Sequence, residues 1–274
     1  NNIPLHLINA RLSKKSLNRY LPYKKFINLG LSKLKSIYVR SDEDLANFSE
    51  LTRVNTKIMG NIKFDSVPPL GTQKKIKLLK EQLKISNEFI LVAGSTRPGE
   101  EKILLKLVEK LNNKKLILVI VPRHPERFIE VEKIFQSQSL TIERKSKLEN
   151  LVKTPKYILG DTMGDLYELY GAATLAIIGG SILNYGGQNP IEPMCSNIQT
   201  AVGPSIYNFK EMVIGAEKHN AIFRFKNIIE LEKIIKKLLR EGQVNQGILK
   251  NAREYIKKSS GGTKKVVRLV NQYL

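Results

Sequence analysis

Four glycines fall within nine residues, Gly179-Gly180 and Gly186-Gly187, and Gln188-Asn189-Pro190-Ile191-Glu192-Pro193 follows directly. Paired glycines let a ligand approach the backbone closely, because no Cβ stands in the way. The apolar run Leu175–Ile178 leads into them as a buried strand, and a helix is predicted to start near Pro190. Unpaired N–H groups at a helix start stabilise phosphate. Glu192 in that first turn can accept two hydrogen bonds from a ribose diol, or can serve only as a partner of the helix dipole.

Three other segments have comparable chemistry. In Gly94-Ser95-Thr96-Arg97-Pro98-Gly99-Glu100-Glu101 a strand runs through a small-residue turn into a helix. That is an anion site or simply a well-capped turn; it is not a Walker loop, since no G-K-[ST] follows. In Pro122-Arg123-His124-Pro125-Glu126-Arg127 two prolines stiffen a loop after the strongest strand. Arg123 sits where open α/β sheets bind ligands, and its fork suits phosphate; either arginine could instead pair with surface acids. In Gly160-Asp161-Thr162-Met163-Gly164-Asp165, Thr162 reads as an N-cap with Asp165 three residues on, with or without a ligand.

Positioning these loops requires strands and helices in alternation. Predicted strands are Ile3–Ile8, Ser36–Val39, Thr56–Met59, Phe89–Ala93, Leu116–Val121, Tyr157–Leu159, Leu175–Ile178, Gln199–Val202 and Ala221–Phe223. Continuous apolar runs such as Leu116–Val121 suit strands buried on both faces of a parallel sheet. Helices are predicted from Ser41 to Leu51, from Pro98 to Leu111, from Pro125, over Ile228–Arg240 and over Ile248–Lys257. This alternation implies a doubly wound α/β fold. The two prolines of Asp65–Gly71 mark a linker.

Composition narrows the function classes. The 274 residues are 42% hydrophobic, enough for a proper core, and carry a formal charge of +21. That charge attracts polyanions, although dispersed lysines also follow from an A/T-rich coding bias. Cys195 is alone, so no intrachain disulfide forms, and with three histidines no structural zinc ligand set exists. No stretch reaches the roughly 18 apolar residues of a membrane span. The chain begins at Asn1, and its first residues read as the end of a strand, as expected for a fragment or trimmed chain.

Taken in order, Asn9-Ala10-Arg11-Leu12-Ser13, Gly60-Asn61-Ile62-Lys63-Phe64-Asp65, Gly94-Ser95-Thr96 and the 121–127, 160–166 and 187–193 segments resemble the Kdo (3-deoxy-D-manno-octulosonic acid) transferases of lipid A biosynthesis. The resemblance runs from Ile8 to about Asn208. It implies a GT-B fold: a complete C-terminal Rossmann-like domain over 66–260, the end of an N-terminal Rossmann-like domain over 1–65, and a C-terminal helix over 261–274. It implies CMP-Kdo as donor, bound by Pro122, Arg123, Met163, Gly164, Asp165, Asn189, Pro190, Ile191 and Glu192. Lys63 matches a lysine that stabilises the transition state. Neither a metal nor a cofactor is implied.

The catalytic glutamate base, the acceptor face and a membrane anchor are expected outside these residues, so donor binding without transfer is expected of this chain. The implied partners are an anionic lipid A precursor and the inner-leaflet surface, at the cytoplasmic face of the bacterial inner membrane. Asp165 stands where the family has Glu, and Gln188 where it has His. Two other enzyme readings remain open, a GT-B enzyme using a UDP- or GDP-sugar and a nucleotide-sugar epimerase. A basic nucleic-acid-binding protein and a non-catalytic scaffold are the alternatives of other classes; no recognised nucleic-acid module is visible, and nucleic acid is not an expected partner.

Overall fold

A computed structural model describes residues 3–149, 151–242 and 244–273. The chain divides into two units, one of residues 1–66 with 257–274 and one of residues 67–256.

The first unit begins with β1 (His6–Ala10), α1 (Lys14–Tyr20), α2 (Lys24–Leu31), β2 (Ser36–Val39), α3 (Asp42–Leu51) and β3 (Thr56–Ile58). The strands form a parallel sheet in the order β1-β2-β3. Leu17, Ile37, Val39 and Leu51 fill its core. Ser41 caps α3, its Oγ accepting the Asp44 N–H at 3.2 Å. The Asp44 carboxylate then accepts the Leu12 N–H at 2.8 Å and ties the β1–α1 loop to α3. Lys63 lies in a 3-10 turn, Ile62–Asp65, capped by Asn61.

The second unit contains α4 (Thr72–Gln82), β4 (Phe89–Thr96), α5 (Glu100–Leu111), β5 (Leu116–Pro122), α6 (Phe128–Gln136), β6 (Glu143–Arg144), β7 (Tyr157–Leu159) and α7 (Leu166–Ala172). It continues with β8 (Leu175–Ile178), α8 (Ile191–Cys195), β9 (Gln199–Val202), α9 (Lys210–Lys218), β10 (Phe223–Arg224), α10 (Ile228–Glu241) and α11 (Gln246–Ser259), whose last three residues belong to the first unit. Its sheet is parallel throughout, in the order β10-β9-β8-β4-β5-β7-β6. Successive residues alternate faces. Leu91, Ala93, Leu118 and Ile120 join one core layer with residues of α5, α6 and α10. Ile90, Val92, Ile117 and Val119 join another with α4 and α7. Helices on both faces explain why these strands are apolar at every position. From β4 the chain winds outward to β5 and β7, then returns to β8 on the other side and winds outward again. The β4–β8 crevice is thus the point where the winding direction reverses, where such sheets bind ligands.

Several elements depart from expectation; the first strand runs over His6–Ala10 and not Ile3–Ile8. Thr162 does not cap a helix: α7 begins at Leu166, after Gly164 takes φ +84° and turns the chain. The last strand is displaced to Phe223–Arg224, because the Ala221 N–H is spent on the Ala216 carbonyl at the end of α9, at 2.8 Å.

The C-terminal segment is not a separate piece. Its helix α12 (Gly262–Val270) belongs to the first unit; Leu274 lies outside the described residues. Asp65 fastens it, accepting the Gly261 and Thr263 N–H groups at 2.5 and 2.6 Å. Burial alone would raise the Asp65 carboxyl, but these two N–H donors hold it below the ordinary carboxylate range. A depressed folded pKa stabilises above the unfolded value, and that stability is lost as pH falls through the folded value. Urea midpoints measured from about pH 6 down to pH 3 should therefore fall for wild type, and fall less for Asp65→Asn, which has no charge to lose. Parallel acid limbs in the two proteins would show that Asp65 contributes nothing.

Candidate functional site

The predicted site segments of the second unit leave one edge of one sheet. Pro122 ends β5 and Arg123 follows it, Met163 to Asp165 follow β7, and Asn189 to Glu192 close the excursion that follows β8. All are at carboxyl ends of parallel strands within the run β8-β4-β5-β7. Backbone bonds knit the edge. Arg123 N–H donates to the Thr96 carbonyl at 3.0 Å, Gly179 N–H to Gly94 at 2.8 Å, and Gln188 N–H back to Gly179 at 2.9 Å. α7 packs on α8, which brings the 163–165 and 189–192 segments toward each other.

The individual side chains differ in availability. Arg123 is exposed, and its guanidinium has no hydrogen-bond or ion-pair partner among the described residues. Met163 is 71% exposed and Gly164 is exposed beside it, so this stretch of backbone faces solvent. Asp165 is already engaged: Lys145 Nζ lies 2.9 Å from its carboxylate and 3.5 Å from Glu168. Burial pushes the Asp165 carboxyl up, but its hydrogen bonds and Lys145 more than offset that and hold it low. For Glu168 burial prevails and its carboxyl is raised. Asn189 closes an Asx turn, its Oδ1 accepting the Ile191 N–H and its Nδ2 donating to Glu192 at 3.1 Å. Pro190 is the N-cap of α8, and Ile191 is fully buried beneath it. α8 has only five residues, so the dipole expected near Pro190 is weak and local N–H groups must do most of any anion binding there. Burial raises the Cys195 thiol to about 11, with the Glu192 charge adding to the effect.

Arg127, Gly94 and Gly179 have structural tasks. Arg127 is buried and donates to Glu101 at 2.7 and 3.2 Å, while Glu101 also accepts from Thr96 Oγ1 at 2.7 Å. It braces the turn beneath Arg123 and offers a ligand nothing. Gly94 and Gly179 are needed for close approach: a Cβ on Gly94 would strike the Tyr170 hydroxyl, and one on Gly179 the Ser95 backbone.

Sequence reasoning missed the largest organiser of this edge. Glu100, the first residue of α5, is fully buried. Its carboxylate accepts four backbone N–H groups: Gly180 at 2.7 Å, Ile182 at 2.9 Å, Arg97 at 3.0 Å and Leu183 at 3.3 Å. The Gly94–Glu101 turn therefore carries its own anion, and the Gly180 loop donates to that anion and not to a ligand. Burial raises the Glu100 carboxyl despite the four donors. Lys63, the remaining predicted residue, lies on the first unit.

Comparison with known proteins places this geometry. The family model described as 3-deoxy-D-manno-octulosonic-acid transferase (kdotransferase) matches residues 1–66. The 3-deoxy-D-manno-octulosonic acid transferase of Haemophilus influenzae is 30% identical over 280 residues, covering 100% of this chain and 65% of its own length. That of Rickettsia typhi is 30% identical over 237 residues, covering 86% and 51%. The chain thus spans between about half and two thirds of the length of these relatives. Among solved structures, the C-terminal CMP-Kdo binding domain of WaaA from Acinetobacter baumannii matches with TM-score 0.64 and 29% identity, over 69% of this chain and 99% of that one. Anabaena HepE in complex with UDP and glucose matches in fold, with TM-score 0.56 and 17% identity over 98% of this chain and 71% of that one.

Proposed function

Since the chain belongs to the 3-deoxy-D-manno-octulosonic acid transferase family and has its GT-B type of fold, we propose that it binds CMP-Kdo and serves Kdo transfer to the lipid A precursor of lipopolysaccharide. One observation carries this reading. The chain matches a CMP-Kdo binding domain over 69% of its own residues and 99% of that domain, and its seven-stranded sheet presents three candidate loops at one edge.

In the proposed binding mode Arg123 meets the phosphate at the end of β5. Met163 and Gly164 offer an exposed side chain and backbone to the base, and Glu192 offers carboxylate oxygens to the ribose diol. Asp165, held by Lys145, fixes the loop between them. In transfer, a carboxylate base removes the proton of an acceptor sugar hydroxyl. The oxygen forms a bond to the anomeric carbon of Kdo, and the bond to phosphate breaks with its electron pair leaving on CMP. Charge grows on that phosphate, and a cation fixed beside it lowers the barrier. Arg123 is proposed for this role; for Lys63, on the first unit, the family resemblance implies transition-state stabilisation. No metal or further cofactor enters the scheme. The acceptor is anionic, and the charge of +21 favours docking at an anionic inner-leaflet surface. Among the described residues no helix is long and apolar enough to cross a membrane.

The test is thermal unfolding of the chain with a panel of nucleotides. CMP at about ten times its Kd should raise the Tm by roughly 3–5 °C, while UMP, UDP and GDP leave it unchanged. A shift with UDP equal to that with CMP would redirect the assignment to a UDP-sugar enzyme.

A further inference from the structure

Arg97 is a further arginine at this edge, and no role described so far uses its guanidinium. It directly follows β4, the strand at the reversal of winding. Its guanidinium lies over the Tyr185 ring, 5.1 Å from the centroid, and Nη1 is 2.7 Å from His124 Nε2. A guanidinium can only donate, so His124 Nε2 must accept. The other ring nitrogen, Nδ1, lies 3.8 Å from Glu126. No carboxylate forms an ion pair with Arg97 among the described residues. Its nearest acid in sequence, Glu100, spends its oxygens on backbone N–H groups, that of Arg97 included. Arg97 Nε is buried without any partner. A buried donor left unsatisfied costs free energy and signals a missing acceptor. Here the stacked ring and the histidine fix the plane of a fork whose donors are not all used.

We propose that Arg97 binds the carboxylate of the donor's sugar acid, so that two neighbouring arginines divide the two anionic groups of the donor. This rests on the donor reading above. In a nucleotide-linked ketulosonic acid the carboxylate and the phosphate ester are attached to one anomeric carbon. Recognising both requires two cations on adjacent supports. β4 and β5 are hydrogen-bonded neighbours, and the Arg123 N–H bonds the carbonyl of Thr96, the residue before Arg97. Arg123 takes the phosphate, and Arg97 the carboxylate, which a planar fork can grip at both oxygens. A donor built on a neutral aldose lacks that group, so Arg97 selects for an acidic sugar while Arg123 serves any sugar nucleotide.

Calorimetric titration of the chain with CMP and with CMP-Kdo separates the roles. Arg97→Ala should keep CMP affinity within about twofold of wild type and weaken CMP-Kdo by about 10- to 100-fold, the scale of a lost charge-assisted hydrogen bond. Arg97→Lys should recover part of the loss, because charge returns without the fork. Arg123→Ala should weaken both ligands together. Equal losses for both ligands in Arg97→Ala, or no loss for either, would overturn the inference. So would a wild-type chain that binds CMP-Kdo no more tightly than CMP, a result that leaves nucleotide recognition intact. A wild type that binds neither ligand removes the donor reading, and this inference with it. If Arg97→Ala fails to fold, Arg97→Gln keeps the stem on Tyr185 and carries the same two-ligand comparison.

Discussion

Replacing Arg123 with alanine should weaken CMP binding to this chain by about 10- to 100-fold, and in a full-length transferase the same change should lower kcat/KM for the proposed transfer by about 10² or more. The reasoning starts from what Arg123 lacks. Its guanidinium has no protein partner among the described residues, whereas Arg127, four residues on, is buried against Glu101. Removing Arg123 therefore breaks no internal contact, and the fold should hold. Its backbone still anchors to Thr96 in the variant, so the loop keeps its course. The whole effect should then fall on the ligand. Calorimetry with CMP and a thermal melt of the free variant check both halves. An unchanged CMP affinity would remove Arg123 from the site.

Glu100→Ala should destabilise the second unit by about 3–5 kcal/mol, because four backbone N–H groups lose their acceptor at once. Relief of the carboxylate's own burial returns part of that cost, which is why the estimate lies well below four full penalties. Glu100→Gln decides between charge and shape. Gln fills the same space, but its NH₂ would face backbone donors where an oxygen now accepts. It should therefore destabilise nearly as much as alanine. A Gln variant within about 0.5 kcal/mol of wild type by urea unfolding would mean that Glu100 acts by volume alone.

The buried strands were legible because their environment imprints a simple pattern. Leu116 to Val121 is apolar at every position, and both of its faces meet helices. The edge strand β6 was not foreseen: Glu143 and Arg144 are polar and only two residues long, and Arg144 is held from outside by Glu132 at 2.7 Å. Around the ligand edge, the segments were visible through their glycines and prolines, but the partners were not. Glu100 reads in sequence like any acid of a first helical turn; three of its four donors come from a loop at least 80 residues later. Arg123 and Arg127 share one short motif, yet one is exposed and the other buried. Only the position of Glu101, 26 residues earlier, separates them. Thr162 satisfied the cap pattern, but the turn at Gly164 delays the helix to Leu166.

The clasp between Asp65 and the start of α12 has a temporal meaning. The acceptor and its two donors are separated by 196 and 198 residues. During synthesis, residues 67–256 form an uninterrupted stretch that can close on its own, whereas the Asp65 clasp must wait for residues 261–263. The two halves of this clasp are thus made on either side of the larger unit, and the contact between them forms only once that unit has been synthesised.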